Sequence, residues 1–245
     1  MSKMNYILSK KKPEVGDRGF IIGNRFIKTK ENMNENIDYG TDISNCVLYL
    51  PLVKNEVKAY TGQDLSYTGN LQYGKEDKVY GAYFDGNSYI SLTDDGLPNT
   101  YRTVSCWVKP DDSLVDKVLG TVLFWGKFNV ERGMQFLGAS NYQYVMFSHT
   151  GSGWGFWNDT TSVQGKWYHI FYTFGQYDFY FYLNNVQVFH QYWDNGQSQN
   201  GGICYVGKEL GNFNQFTNVN YKGWIRSIRV FNKVLSSEER TLLFN

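Results

Sequence analysis

Between Cys46 and Leu235 the chain is a succession of short apolar-aromatic runs, each closed by Gly, Asn or Asp, and this pattern excludes most folds. The runs include CVLYLPLV, GAYFDGNSYISL, YRTVSCWVKP, NYQYVMFSH, VQVFHQYW and GWIRSIRVFN. None repeats its apolar residues at helical spacing. Their aromatic and β-branched content suits pleated, half-buried strands. The densest stretch is Gly165–Asn185, GKWYHIFYTFGQYDFYFYLNN. It reads as one strand, a Gly-Gln-Tyr-Asp turn, and a second strand ending in Asn184-Asn185, that is, an antiparallel hairpin.

About a dozen such strands with regular turns predict an all-β fold, a two-sheet antiparallel jelly-roll sandwich. Only the tail departs from this pattern. Ser236 with Glu239 three residues later is a capping box, and Leu242 and Leu243 supply an apolar patch, so a short helix is expected over residues 237–243. Residues 1–45 differ again. They are rich in Lys, Asn and Glu and hold one apolar knot, Phe20-Ile21-Ile22-Gly23-Asn24-Arg25-Phe26-Ile27. Two arms around Gly23-Asn24 suit a small hairpin, and a lone hairpin is marginal in water. The segment reads as an extended N-terminal arm, either a flexible leader or an anchor. As an anchor, Phe20, Ile21, Ile22, Phe26 and Ile27 would dock onto other structural proteins by strand addition. Residues 46–245 then form one domain.

Composition narrows the function. Lys and Arg total 24 against 23 Asp and Glu in 245 residues. A chain so near neutrality has no general electrostatic reason to bind nucleic acid or an acidic membrane. The N-terminus is basic but lacks an apolar core, so it is no secretory signal. No run approaches the ~18 apolar residues of a membrane span, and the chain reads as soluble. Location is therefore expected on a particle released without a signal peptide, such as a phage virion, or otherwise outside the cell. Cys46, Cys106 and Cys204 are odd in number, far apart and each inside an apolar run. They read as buried free thiols, not as a disulfide scaffold or zinc site.

Four segments, in order, resemble the laminin-G-like family in its concanavalin-like form. The first is Gly81–Ile90, similar to G-x-x-F-D-G-x-x-x-[IV]; the second is Tyr101–Pro110, with its W-V-K-P ending. The third is the hairpin, through Trp167, His169, Tyr182, Leu183, Asn184 and Asn185. The fourth is YKGWIRSIRVFNKVL from Tyr221 to Leu235. The resemblance covers residues 46–245 and implies a jelly roll with a lectin-like or glucanase role. Two departures stand out. Asn184-Asn185 replaces the family's Asn-Gly turn, which Asn tolerates because it enters the left-handed region. Arg226-Ser227 replaces an acidic pair that helps many relatives hold calcium. Asp85 alone remains, either as a calcium ligand helped by carbonyl oxygens or as an Asx-turn residue before Gly86.

Catalysis finds little support in the residues. Glucanases of this fold place carboxylates alternately on one strand, E-x-D-x-E, so that they face one cleft. Here Glu131 and Glu209 are the only glutamates between residues 77 and 237. His149, His169 and His190 make no zinc-hydrolase pattern, and His169, between Trp167 and Phe171, reads as structural. No nucleophile elbow occurs. The expectation is a protein that is not an enzyme and needs no cofactor.

Binding has better material. Flat aromatic faces beside amides and acids bind sugars, the ring against the C–H face and the polar groups against hydroxyls. Trp154 and Trp157 lie in a Gly-flanked stretch. Tyr192, Trp193, Asp194 and Asn195 end a strand in a polar loop, and Phe213 sits in a third loop rich in Asn. Loops on a rigid sandwich commonly carry binding residues, although the same rings serve a protein interface or the core equally well. The expected activity is a non-catalytic, lectin-like display module for glycans or a cell surface, within a larger particle and open to self-association. The alternatives are a secreted carbohydrate-binding protein and a concanavalin-fold glycosidase.

Overall fold

The computed structural model describes residues 7–9, 19–22, 25–28, 42–43, 45–53, 64–93, 96–98, 100–111, 121–125, 132–139, 142–149, 153–158, 165–175, 177–192, 203–208 and 220–244. Of the strands before residue 45 and between residues 132 and 158, only the backbone is described.

Four short strands come first: β1 (Ile7–Ser9), β2 (Gly19–Ile22), β3 (Arg25–Lys28) and β4 (Asp42–Ile43). The expected hairpin around residues 23–24 is there as β2 against β3. β1 adds to β3, and β4 lies parallel to β2, giving a separate four-stranded sheet.

The sandwich follows. Its strands are β5 (Cys46–Leu50), β6 (Leu65–Thr68), β7 (Gln72–Glu76), β8 (Val79–Asp85), β9 (Tyr89–Thr93) and β10 (Arg102–Pro110). Then come β11 (Thr121–Trp125), β12 (Arg132–Ala139), β13 (Tyr142–His149), β14 (Gly153–Asn158) and β15 (Tyr168–Phe174). The last are β16 (Asp178–Leu183), β17 (Val186–Tyr192), β18 (Ile203–Val206) and β19 (Lys222–Phe231), closed by the helix α1 (Ser237–Phe244). One sheet runs β17-β16-β15-β10-β19-β8-β7, with β5 also on β19; the other runs β14-β13-β12-β11-β18-β9-β6.

Alternation sorts the side chains. Ala82 and Phe84 of β8, Ile90 and Leu92 of β9, Val104, Cys106 and Val108 of β10, and Phe179 and Phe181 of β16 all point between the sheets. Each such ring or branched chain contributes about 1.5–3 kcal/mol when taken fully out of water. β19 breaks the period, because its core residues Ile225 and Ile228 are three apart. Ser227 absorbs the extra residue at φ 52°, and the register against β10 shifts between Ser105 and Trp107. Ile228 and Val230 thereby stay in the core.

The outer face of the larger sheet is partly covered by α1. Ser236 caps it: Ser236 N donates to Glu239 Oε2 (2.9 Å) and Glu239 N to Ser236 Oγ (3.3 Å). Leu243 packs with Phe171, Tyr182, Phe231 and Leu235. Leu242 does not share this role, contrary to expectation; it is 61 % exposed, on the far side of the helix. Under the helix, His169 is buried and structural as expected. Its Nε2 meets Ser105 Oγ at 2.8 Å, and its ring lies beside Trp107 and Phe244. Trp167 donates from Nε1 to Glu76 O (3.1 Å). Both residues of the Asn184-Asn185 turn enter the left-handed region, with φ 48° and 63°, and all three cysteines are free and buried. Among the described residues no helix is long and apolar enough to cross a membrane.

Candidate functional site

β17 is an edge strand, and its outward positions continue those of β16. In register, Tyr180 faces His190 and Asp178 faces Tyr192. Directly opposed side chains on one face of an antiparallel pair stand close enough to touch. The Tyr180 and His190 rings stack at 4.2 Å, only 5° from parallel. His190 Nε2 reaches Asp178 Oδ1 diagonally at 3.0 Å. Tyr177, from the turn before β16, places its ring 5.6 Å from that of Tyr192. Tyr192 is 59 % exposed and Tyr177 39 %.

These rings form one end of a ladder. Tyr180 stacks on Tyr182 (6.5 Å), the Arg240 guanidinium of α1 covers Tyr182 (4.1 Å), and Tyr182 meets Phe171 edge-on (5.9 Å). The inner rungs are fixed by the helix and the outer ones face water. A rigid, wet strip of this kind offers ring faces to apolar C–H groups, while the imidazole and carboxylate offer a donor and an acceptor to hydroxyls.

Of the residues expected to bind, Tyr192 lies in this strip. Trp193, Asp194 and Asn195 follow it directly but fall outside the described residues, as does Phe213. Trp154 and Trp157 lie on β14, opposite Ser148 and Val145 of β13; their side chains are not described. β14 is the edge of the other sheet, and it comes into contact with β17. The strand that carries Trp154 and Trp157 thus neighbours the strand that ends at Tyr192. Tyr177, Asp178, Tyr180 and His190 were not expected there. For Asp178, Tyr180 and His190 the signal was the alternation of β16 and β17, which puts them on Tyr192's face; Tyr177 reaches Tyr192 from the turn before β16.

Asp85 stands apart. Its Oδ1 accepts from Asn87 N, Ser88 N and Ser88 Oγ, each at 2.8 Å. These bonds, that from Asn87 first, hold its carboxyl below the ordinary value. Only Oδ2 is outside this network, and Lys222 is its register partner on β19. A hard cation gathers six to eight oxygens. Among the described residues no three His, Cys, Asp or Glu are grouped to hold a metal.

Two stacked antiparallel sheets, closed by one short helix and with an aromatic, hydroxyl-rich surface, define a lectin-type jelly roll. The chain belongs to the laminin-G-like family of the concanavalin A-like lectin/glucanases superfamily, whose family model matches residues 84–239. No curated protein matches it in sequence. Among solved structures it is similar to domain 4 of an extracellular arabinanase from Geobacillus stearothermophilus, in complex with arabinotriose. That similarity has 18 % identity and a TM-score of 0.65, over 82 % of this chain and 98 % of that one. It is also similar to the botulinum neurotoxin serotype D/C binding domain, at 18 % identity and TM-score 0.63, over 82 % of this chain and 52 % of that one. The serotype D ligand binding domain in complex with N-acetylneuraminic acid follows at 14 % identity and TM-score 0.60, over 82 % and 50 %. The chain thus spans about half the length of the toxin domains.

Proposed function

We propose that the jelly roll is a non-catalytic glycan-binding module that engages saccharide at the β16–β17 edge. The observation that carries this is the exposed Tyr177–Tyr192 pair beside the His190–Asp178 couple. An arabinotriose complex of the similar arabinanase domain and an N-acetylneuraminic acid complex of the toxin domain support saccharide as the ligand class. Against hydrolysis stands the missing E-x-D-x-E strand, because a glycosidase needs two carboxyl groups flanking the scissile bond.

A glycan array tests it. Wild type gives defined signals. Tyr192→Ala lowers them about tenfold, the effect of a central aromatic contact. An array with no wild-type signal removes the reading, and turnover of any polysaccharide in a panel removes the non-catalytic part.

The module is read further as part of a larger particle, a bacteriophage virion or appendage, carried by residues 1–45. The support is that, among the described residues, the strands of this segment pair only among themselves, which leaves β1 and β4 at the outer edges of their sheet. Loss of incorporation into the particle on deleting residues 1–45 is the expected outcome; unchanged incorporation rejects the anchor.

A further inference from the structure

The smaller sheet has its own exposed face, away from the Tyr177–Tyr192 strip. Ile90, Leu92, Cys204 and Val206 point into the core, so alternation turns Tyr89, Ser91 and Tyr205 outward. Ser66 and Thr68 of β6 complete the face. In register, Ser66 is opposite Ser91, Thr68 opposite Tyr89, and Ser91 opposite Tyr205. Three adjacent strands therefore carry one row, spanning about 10 Å at the usual ~4.8 Å strand spacing.

The row is polar and organised. Ser66 Oγ and Ser91 Oγ are 2.9 Å apart. Tyr89 and Tyr205 meet edge-on at 5.8 Å. Past the end of β18, Lys208 returns over both rings, its Nζ 4.2 Å from the Tyr89 centroid and 5.3 Å from that of Tyr205. A hydrogen bond with Thr68, then the Lys208 charge, hold the Tyr89 phenol below its ordinary value. Among the described residues no carboxylate pairs with Lys208. The two rings fix the ammonium in place without neutralising it. A fixed cation beside aromatic faces and hydroxyls is complementary to an anionic, hydroxylated ring.

We infer that this face is a second saccharide site, selective for a sugar that bears a carboxylate. The carboxylate pairs with Lys208 Nζ, the sugar's C–H face lies against Tyr89 or Tyr205, and its hydroxyls meet Ser66, Thr68 and Ser91. A uronic acid and a sialic acid share this chemistry. The inference rests on the domain being a glycan binder, but on none of the residues of the β16–β17 edge.

The test is calorimetric titration of the full chain with trigalacturonate and with 3′-sialyllactose, each against its carboxyl-reduced counterpart. Wild type, Lys208→Gln, Lys208→Arg and Tyr192→Ala are compared after melting curves confirm that each is folded. The expected result is that at least one acidic probe binds about tenfold or more tightly than its reduced form. Lys208→Gln abolishes that preference; Lys208→Arg and Tyr192→Ala keep it. Which probe shows it separates uronic from sialic acid. The preference also shrinks as salt is raised. Equal binding of acidic and reduced probes, or a preference that survives Lys208→Gln, overturns the site. If neutral sugars still bind and lose affinity in Tyr192→Ala, the general glycan reading stands without it. No saccharide binding at all removes both.

Discussion

Gly207, just past β18, lies against Phe84 of the facing sheet. Its φ is 81°, and a Cβ there would lie 2.5 Å from Phe84 Cδ1. Its N–H donates to Val122 O (3.1 Å) and its carbonyl accepts from Tyr221 N (2.9 Å). Gly207→Ala is expected to cost about 2–4 kcal/mol through backbone strain and a core clash, read as a shift in a urea midpoint. The cysteines make an equally local prediction. Burial pushes the Cys46 thiol up to about 12, despite the nearby Arg229 charge that opposes it, and burial raises Cys106 further. Native protein at pH 8 should therefore resist maleimide, with all three thiols labelled once urea unfolds the chain. Asp85 sets a pH dependence. Its folded carboxyl titrates below its unfolded value, so its stabilisation is complete above about pH 4–5 and is lost as pH falls through the folded value. The gap in melting temperature between wild type and Asp85→Ala should be steady from pH 7 to 5 and narrow as the pH falls below the ordinary carboxylate value of about 4. Buried cysteines and the Asx turn were legible from one run of residues each. The bulge at Ser227 was not, because Ser carries no preference for positive φ; the three-residue step from Ile225 to Ile228 was its only trace.

The helix shows how a short segment can govern a remote surface. α1 carries two adjacent leucines and buries one, Leu243. Leu243→Ala should cost about 2–4 kcal/mol by opening a hole against Phe171 and Tyr182, while Leu242→Ala should stay within about 0.5 kcal/mol. Ser236→Ala removes the cap and should cost about 1 kcal/mol. Paired denaturation curves check all three. Because Arg240 and Leu243 hold Tyr182, losing the helix should also loosen the rings of Tyr180 and His190 that stack beyond it. This coupling explains the uneven legibility of the site. Tyr192 was found because it precedes an Asn-rich loop. Tyr177, Asp178, Tyr180 and His190 were not singled out, since alternation assigns side chains to two faces and does not say which part of the outer face the distant helix will cover. The hydroxyl row on the smaller sheet was hidden for the same reason, its three strands being far apart in the chain.

The strand order of the molecule bears on how far each part of the chain depends on the others. β5 pairs with β19 from Cys46 onward, whereas the strands before Cys46 pair only among themselves among the described residues. Residues 46–245 made alone should therefore unfold in one cooperative transition within a few degrees of the full chain, measured by calorimetry. A cut inside β5 should not be tolerated. The overall sandwich was legible because each of its runs is a complete, strongly patterned strand. The order of the strands was not, because pairing partners lie far apart and no local pattern encodes them. That order has a consequence for how the protein is made. β19 joins β10 on one side to β8 and β5 on the other, yet it is the last strand to leave the ribosome. Until it emerges, the two halves of the larger sheet have nothing between them, and β10 and β8 each expose an unpaired edge of the kind that draws in foreign strands. The larger sheet thus cannot close before β19 is available, and a chain stopped short of residue 222 is expected to aggregate instead of waiting half-folded.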